Sequence, residues 1–240
     1  MTDTDTSREV VAARRATLGA AVTVILAMGV LSLPAQTTRE PAVPADFAGV
    51  YQATPSGAVL PGNLRNVGSP ADITLLPGAL QAMKTVDLRQ DPMKMCQPIG
   101  PFRMMARDST KIEIVPAHGM IVMLYEDLAR GLLRTIYLTR PHPRQPVLNW
   151  LGDSVGRWEG TTLVVDTVGF NERTWLNDAG APHSEALHLV ERIRPVLGGK
   201  YLEYRVTADD PKTLVKPYTY VRYYEKLKTG IAEDVCEADE

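Results

Sequence analysis

The sequence predicts an all-β, mainly antiparallel fold, a barrel or a sandwich, preceded by a loop-rich N-terminal part. Three observations carry this. From about residue 110 onward, short runs rich in Ile, Val, Leu and Tyr are bounded by Pro, Gly and Asp. No βαβ alternation appears, and no long helix-period pattern follows the first 35 residues. Gly-containing turn signals recur at the spacing of consecutive short strands, which is the pattern of antiparallel sheets that pack or close.

Residues 1–35 read as a signal peptide. Arg14 and Arg15 precede the apolar run LGAAVTVILAMGVLSLPA, which ends in small residues at Pro34-Ala35. The paired arginines allow a twin-arginine signal, and Sec export is at least as well supported. An uncleaved anchor is the competing reading, because about 16–18 apolar residues approach the minimum spanning length. Either way the remainder is expected outside the cytoplasm, periplasmic or secreted, with no membrane association once the signal is cleaved. Residues 36–48, QTTREPAVPADFA, read as a flexible lead-in.

Residues 49–240 are expected to form a single β-rich domain, since 240 residues with 45% hydrophobic content suffice for one sizeable core. A net charge of -2 without a basic block argues against nucleic acid as a partner. No period of 20–50 residues repeats, so a solenoid or propeller is not expected. Cys96 and Cys236 are the two cysteines. In an oxidising compartment they read as a disulfide tying the C-terminal tail to mid-chain, with two unpaired thiols as the alternative.

Between residues 50 and 100 the chain is rich in Gly and Pro, and supports short strands, a helical turn around Pro77–Leu88 and long loops. Then follow the strand runs KIEIVP, GMIVMLYED and GLLRTIYLTR. DSVGRWEGTTLVVDTVGF reads as a hairpin turning at Glu159-Gly160, and ALHLVERIRPVLGGKYLEYRVTADD as another turning at Gly198-Gly199. PYTYVRYYEKL is the last strand. Period-two alternation puts Leu187, Leu189, Glu191 and Ile193 on one face, with His188, Val190 and Arg192 on the other. A closed barrel would set a few polar groups among apolar ones on its inner face. A sheet covered by loops or by a second copy in a homo-oligomer would look the same.

Gly152-Asp153-Ser154-Val155-Gly156 matches G-x-S-x-G, with acids and histidines downstream in hydrolase order. A nucleophile elbow needs strand, sharp turn, then helix, whereas this motif runs into another strand. The glycines are expected to serve turns and bulges, and serine hydrolysis stays a minor alternative.

The stretch GDSVGRWEGTTLVVDTVGFNERTWLNDAGAPHSEALHLVER resembles a large group of exported bacterial proteins sharing G-x-S-x-GRWEG-x-TLVVDT, FN-x-x-TW and G-x-PHS-x-ALH-x-x-ER. The resemblance extends to MKMCQP, to RPHP at 140–143, to EYRVTADDPK and to the terminal VCE, covering roughly residues 90–240. One departure is Thr161, where the pattern usually has Asp. The resemblance implies a β-rich, lipocalin-like barrel and brings no mechanism with it.

The polar loop from Phe170 to Ser184 is the leading site candidate, because functional groups gather on loops held by a rigid scaffold. Within it, Asn171 and Trp175 are candidate substrate contacts and His183 a candidate acid–base group, with a backbone-capping role as the alternative. His188 is expected inside the barrel and His183 at its mouth, with Asp166 or Glu191 orienting an imidazole. Arg157 is a candidate for stabilising negative charge, or else stacks on Trp158 to close one barrel end. Glu191 on a leucine face needs a partner, Arg157 or Arg205. Asp166 among valines is a candidate buried acid. Tyr125, Tyr137 and Tyr220 either line an aromatic pocket or fill the core, as do Tyr204 and Tyr224.

His188 and Glu191 point to opposite faces of a strand and make a poor metal pair, and no Cys–His spacing suits zinc. No nucleotide loop, haem motif or clean metal motif is present, so no cofactor is expected. The leading expectation is a cofactor-independent lyase or isomerase acting on an apolar or aromatic small molecule. The rivals are a non-catalytic barrel that binds a hydrophobic ligand, and a metal-dependent or serine hydrolase.

Overall fold

The computed structural model describes residues 43–126 and 132–232. The signal, most of the lead-in and Cys236 lie outside the described residues, so the expected signal cleavage and the Cys96–Cys236 bridge lie outside them too. In chain order the elements are β1 (Gly49–Ala53), β2 (Val59–Leu60), β3 (Leu64–Arg65), α1 (Pro77–Thr85) and α2 (Pro101–Met104). Then come β4 (Lys111–Ala117), β5 (Met120–Tyr125), β6 (Leu133–Tyr137), β7 (Asp153–Glu159), β8 (Thr162–Val168), β9 (His188–Val196), β10 (Tyr201–Asp209) and β11 (Tyr218–Leu227). The helical turn expected at 77–88 is α1 followed by a 3-10 turn at Leu88–Gln90.

Nine strands close a barrel in the order β1-β11-β10-β9-β8-β7-β6-β5-β4, and β1 pairs with β4 to complete the ring. Of the two architectures expected, barrel or sandwich, the barrel is the one found. Strand β1 lies in the Gly- and Pro-rich region where sequence periodicity is weakest, yet it closes the ring. β2 and β3 form a separate two-stranded hairpin. One joint is parallel: β6 meets β7 through Ile136↔Ser154 and Tyr137↔Val155 only. Parallel neighbours need a crossover instead of a tight turn, and residues 138–152 supply it.

Alternation sets the inner face as expected. Leu163, Val165 and Thr167 of β8, Leu189, Glu191 and Ile193 of β9, and Leu202, Tyr204, Val206 and Ala208 of β10 are fully buried. The lumen is not a container, because the chain fills it. Gly100 enters at φ 78 and Pro101 starts α2, whose missing N–H is no loss at that position. Phe102, Met104 and Met105 join the barrel core. Tyr220 donates its hydroxyl to the Phe102 carbonyl at 2.6 Å, and Tyr224 donates to the Met105 carbonyl. Burying each such side chain contributes roughly 1.5–3 kcal/mol, so this plug is part of the core. Tyr220 and Tyr125 are core filler: neither lines an open pocket.

The false hydrolase elbow has a packing explanation. A Cβ on Gly156 would lie 2.8 Å from Ile136 Cγ2, and one on Gly152 would lie 2.8 Å from the Val168 carbonyl. Close approach of neighbouring strands and a positive φ at Gly152 demand these glycines. Phe47, counted with the lead-in, is fully buried and meets Trp158 edge-on at 4.8 Å between ring centroids. Arg157 does not stack on Trp158. Its side chain is 64% exposed and pairs with Glu159 at 2.8 Å.

Candidate functional site

Inside the barrel, Glu191 meets Arg134, not Arg157 or Arg205. Both of those arginines lie on outward positions of their strands, because they alternate with the buried residues. Arg134 Nη1 donates to Glu191 Oε1 at 2.8 Å, its Nε donates to Ser154 Oγ at 3.1 Å, and its Nη2 donates to Thr167 Oγ1 at 2.8 Å. Tyr204 donates to Glu191 Oε1 at 2.8 Å. Ser154 is thus held by an arginine and a threonine, and among the described residues it has no histidine partner. Burial opposes the Arg134 charge, but Glu191 more than offsets it, so the guanidinium titrates above its usual range. Burial pushes the Tyr125 hydroxyl up to about 12. The cluster is closed and saturated, which is the signature of a structural network.

On the outer wall lies a second chain of polar groups. His188 Nε2 sits 2.8 Å from Asp166 Oδ2, and His142 Nε2 sits 3.0 Å from Asp166 Oδ1. His142 Nδ1 is 2.6 Å from Asp153 Oδ1, and Arg140 donates to the same carboxylate. Both ring nitrogens of His142 thus face carboxylates, one on β7 and one on β8. Arg140 and His142 hold the Asp153 carboxyl below its ordinary range against the opposing effect of burial. The expectation that His188 points inward is overturned: strand alternation that buries Leu189 and Glu191 turns His188 out. Asp166 is likewise no buried acid, being 36% exposed. Beside this chain opens a small cleft of about 220 Å³, lined by Tyr137, Arg140, Asn149, Asp153 and Ser154. His142 lay within the RPHP motif, yet nothing local ties it to residues 11 and 24 positions away.

The loop from Phe170 to Leu187 is pinned at several points. His183 is 3% exposed, accepts from Thr174 Oγ1 at 2.6 Å through Nε2, and donates to the Ser184 carbonyl at 3.0 Å through Nδ1. Burial lowers its pKa, so the ring is held neutral and fully partnered. That is the capping role, and it overturns a position at an open mouth. Asp210 accepts from the Ser184 N–H at 2.6 Å and from its hydroxyl at 2.8 Å. Asn177 accepts from the Ala179 and Ala181 N–H groups, and Asn171 from that of Arg173. Trp175 lies 5.8 Å from the Arg103 guanidinium. The four candidate acid–base groups therefore fall in three separate places, and no two of the expected His183, His188, Asp166 and Glu191 meet except His188 and Asp166.

The large concavity is elsewhere. A cleft of about 800 Å³ opens beneath α1, walled by Ile73, Leu75, Leu80, Met83 and Leu88. Arg103, Arg107, Arg222, Asn177 and Asp178 line it as well. No residue of α1 is fully buried, and the helix touches the core only through the partly buried Ala79 and Met83. Arg103 is held by Asp91 at 2.8 and 2.6 Å and by Asp178 at 2.6 Å. Arg103 keeps the Asp91 carboxyl below its ordinary range although burial pushes it up. Of this site, sequence reading found only the part that the 170–184 loop supplies, Asn177 and Asp178. It missed the apolar wall and the arginines, whose only trace was the apolar content of the loops around Pro77–Leu88.

No protein-family model and no curated protein sequence matches the chain. Among solved structures, it is similar to a REP1-NXSQ fatty acid transporter at 8% identity and a TM-score of 0.39, covering 78% of this chain and 99% of that one. It is also similar to a zebrafish ileal bile acid-binding protein complexed with cholic acid, at 9% identity and a TM-score of 0.35, covering 76% of this chain and 100% of that one. Overlap at this level is loose, and the barrel rests on its own strand pairing.

Proposed function

We propose that the chain is an exported binding protein that holds a small apolar molecule in the cleft beneath α1, with the barrel as rigid scaffold. The observation that supports this is the cleft of about 800 Å³ walled by Ile73, Leu75, Leu80, Met83 and Leu88, beside a lumen filled by Phe102, Met104 and Met105. The volume lies within the roughly 300–1,000 Å³ typical of ligand sites. A lyase or isomerase is less well supported, because His183 is consumed in loop packing and Glu191 in an ion pair.

Titration with the neutral dye Nile red tests the reading. Saturable binding of one dye per chain is expected, weakened at least tenfold by Met83→Asp and unchanged by Tyr137→Phe on the outer wall. Equal binding by wild type and Met83→Asp would remove the cleft from consideration.

A further inference from the structure

An apolar cleft does not need three guanidinium groups in its wall, and their hydrogen bonding is unequal. Arg103 is satisfied, with Nη1, Nη2 and Nε all on carboxylates at 2.6–2.8 Å. Arg222, whose side chain is 3% exposed, donates to Asp108, to Ser56 Oγ at 2.8 Å and to the Thr54 carbonyl at 3.3 Å. Its Nε nevertheless has no hydrogen-bond partner among the described residues. Arg107 is the least engaged. Its side chain is 24% exposed and, among the described residues, its one ion-pair contact runs from Nη1 to Asp178 Oδ1 at 3.4 Å, while its buried Nε has no partner. That contact is longer than an ordinary charge-assisted bond. Buried donors are nearly always paired, so two orphaned guanidinium Nε atoms in one cleft call for an explanation.

We infer that the ligand of this cleft is an amphipathic molecule with a carboxylate head, engaged by the Nη1–Nη2 end of Arg107. This inference rests on the cleft reading above. That end of a guanidinium offers two parallel donors that match a carboxylate, which a neutral ligand would leave unused. Asp178 is 71% exposed and keeps its 2.6 Å bond to Arg103, so it can give up the 3.4 Å contact without being stranded. The apolar tail then lies along Leu80, Met83 and Leu88, the side of the cleft built by α1 and the turn after it.

The test is displacement of Nile red by three amphiphiles of equal chain length: dodecanoate, dodecanol and dodecyltrimethylammonium. Wild type is expected to bind dodecanoate at least tenfold tighter than dodecanol, and the cation most weakly. Arg107→Gln is expected to bring dodecanoate down to the level of dodecanol, with dodecanol unchanged. Arg107→Lys should fall between, since it keeps the charge and loses the paired donors. Asp178→Asn should strengthen dodecanoate alone. Equal binding of dodecanoate and dodecanol by wild type, or a preference that survives in Arg107→Gln, would overturn the inference. If that equality is seen while Met83→Asp still weakens all three, the cleft stands and only the head group falls. If none of the three displaces the dye, both fall.

Discussion

Arg134 and Glu191 face each other inside the barrel with side chains 1% and 0% exposed, Nη1 2.8 Å from Oε1. The residues come from β6 and β9, which are not neighbours in the sheet, so the pair links strands separated by β7 and β8. Removing one partner strands a buried charge, which costs about 3–5 kcal/mol. Arg134→Met and Glu191→Leu are each expected to be destabilising on that scale. The double variant should lose less than the sum, because the remaining charge disappears with its partner. Urea unfolding of the four proteins measures the cycle, and additive losses would show the pair to be uncoupled.

His183 gives the protein a pH dependence above the carboxylate range. Its folded pKa is lowered by burial, so the folded state resists protonation while the unfolded chain accepts a proton near pH 6.5. This stability is complete above the unfolded value and declines as pH falls through the lowered one. Chemical unfolding between pH 7.5 and 5 should show the decline in wild type. His183→Gln should lack it, whatever its absolute stability.

Asp210 governs a lower window. Ser184 holds its carboxyl below the ordinary range through an N–H bond of 2.6 Å and a hydroxyl bond of 2.8 Å, although burial pushes the other way. Its contribution is present above about pH 4 and is lost as pH falls through the lowered value. Asp210→Asn is expected to be less stable at pH 7 and to lose less on acidification to pH 3, as followed by circular dichroism. A parallel loss in both proteins would count against this.

The two outer histidines should differ. His188 is 40% exposed, and an exposed ion pair contributes under about 1 kcal/mol, so His188→Ala should be nearly neutral. His142 is 24% exposed and holds the 138–152 crossover to both Asp153 and Asp166. His142→Ala is expected to speed hydrogen exchange at the Asn149 amide, which bonds the Gly169 carbonyl at 3.1 Å. Neither variant should change Nile red binding in the cleft. A stability loss in His188→Ala as large as that of Glu191→Leu would contradict the outward placement.

Strand identity and facing were legible because period-two alternation is a local property of the chain. ALHLVERI assigned Leu189, Glu191 and Ile193 to one face without any knowledge of the rest. The same reasoning failed at the next step, when His188 was expected inside. Leucines and a glutamate on the inner face look unlikely as a core unless the partner is known, and Arg134 is 57 residues away. Arg134 had its own local cue, a charged residue in phase with Ile136 on a strand.

The cleft was illegible for a different reason. Its wall comes from short loops, one nine-residue helix and the ends of distant segments, and none of these has a periodicity that announces a shared surface. By itself, then, the sequence determined the β-rich class, the strand faces and the need for a buried partner to Glu191. The tertiary structure alone decided that the ring closes through β1, that residues 99–105 fill the lumen, and that the open concavity lies under α1. Alternation is written in neighbouring residues, whereas closure and cavities depend on which distant segments meet.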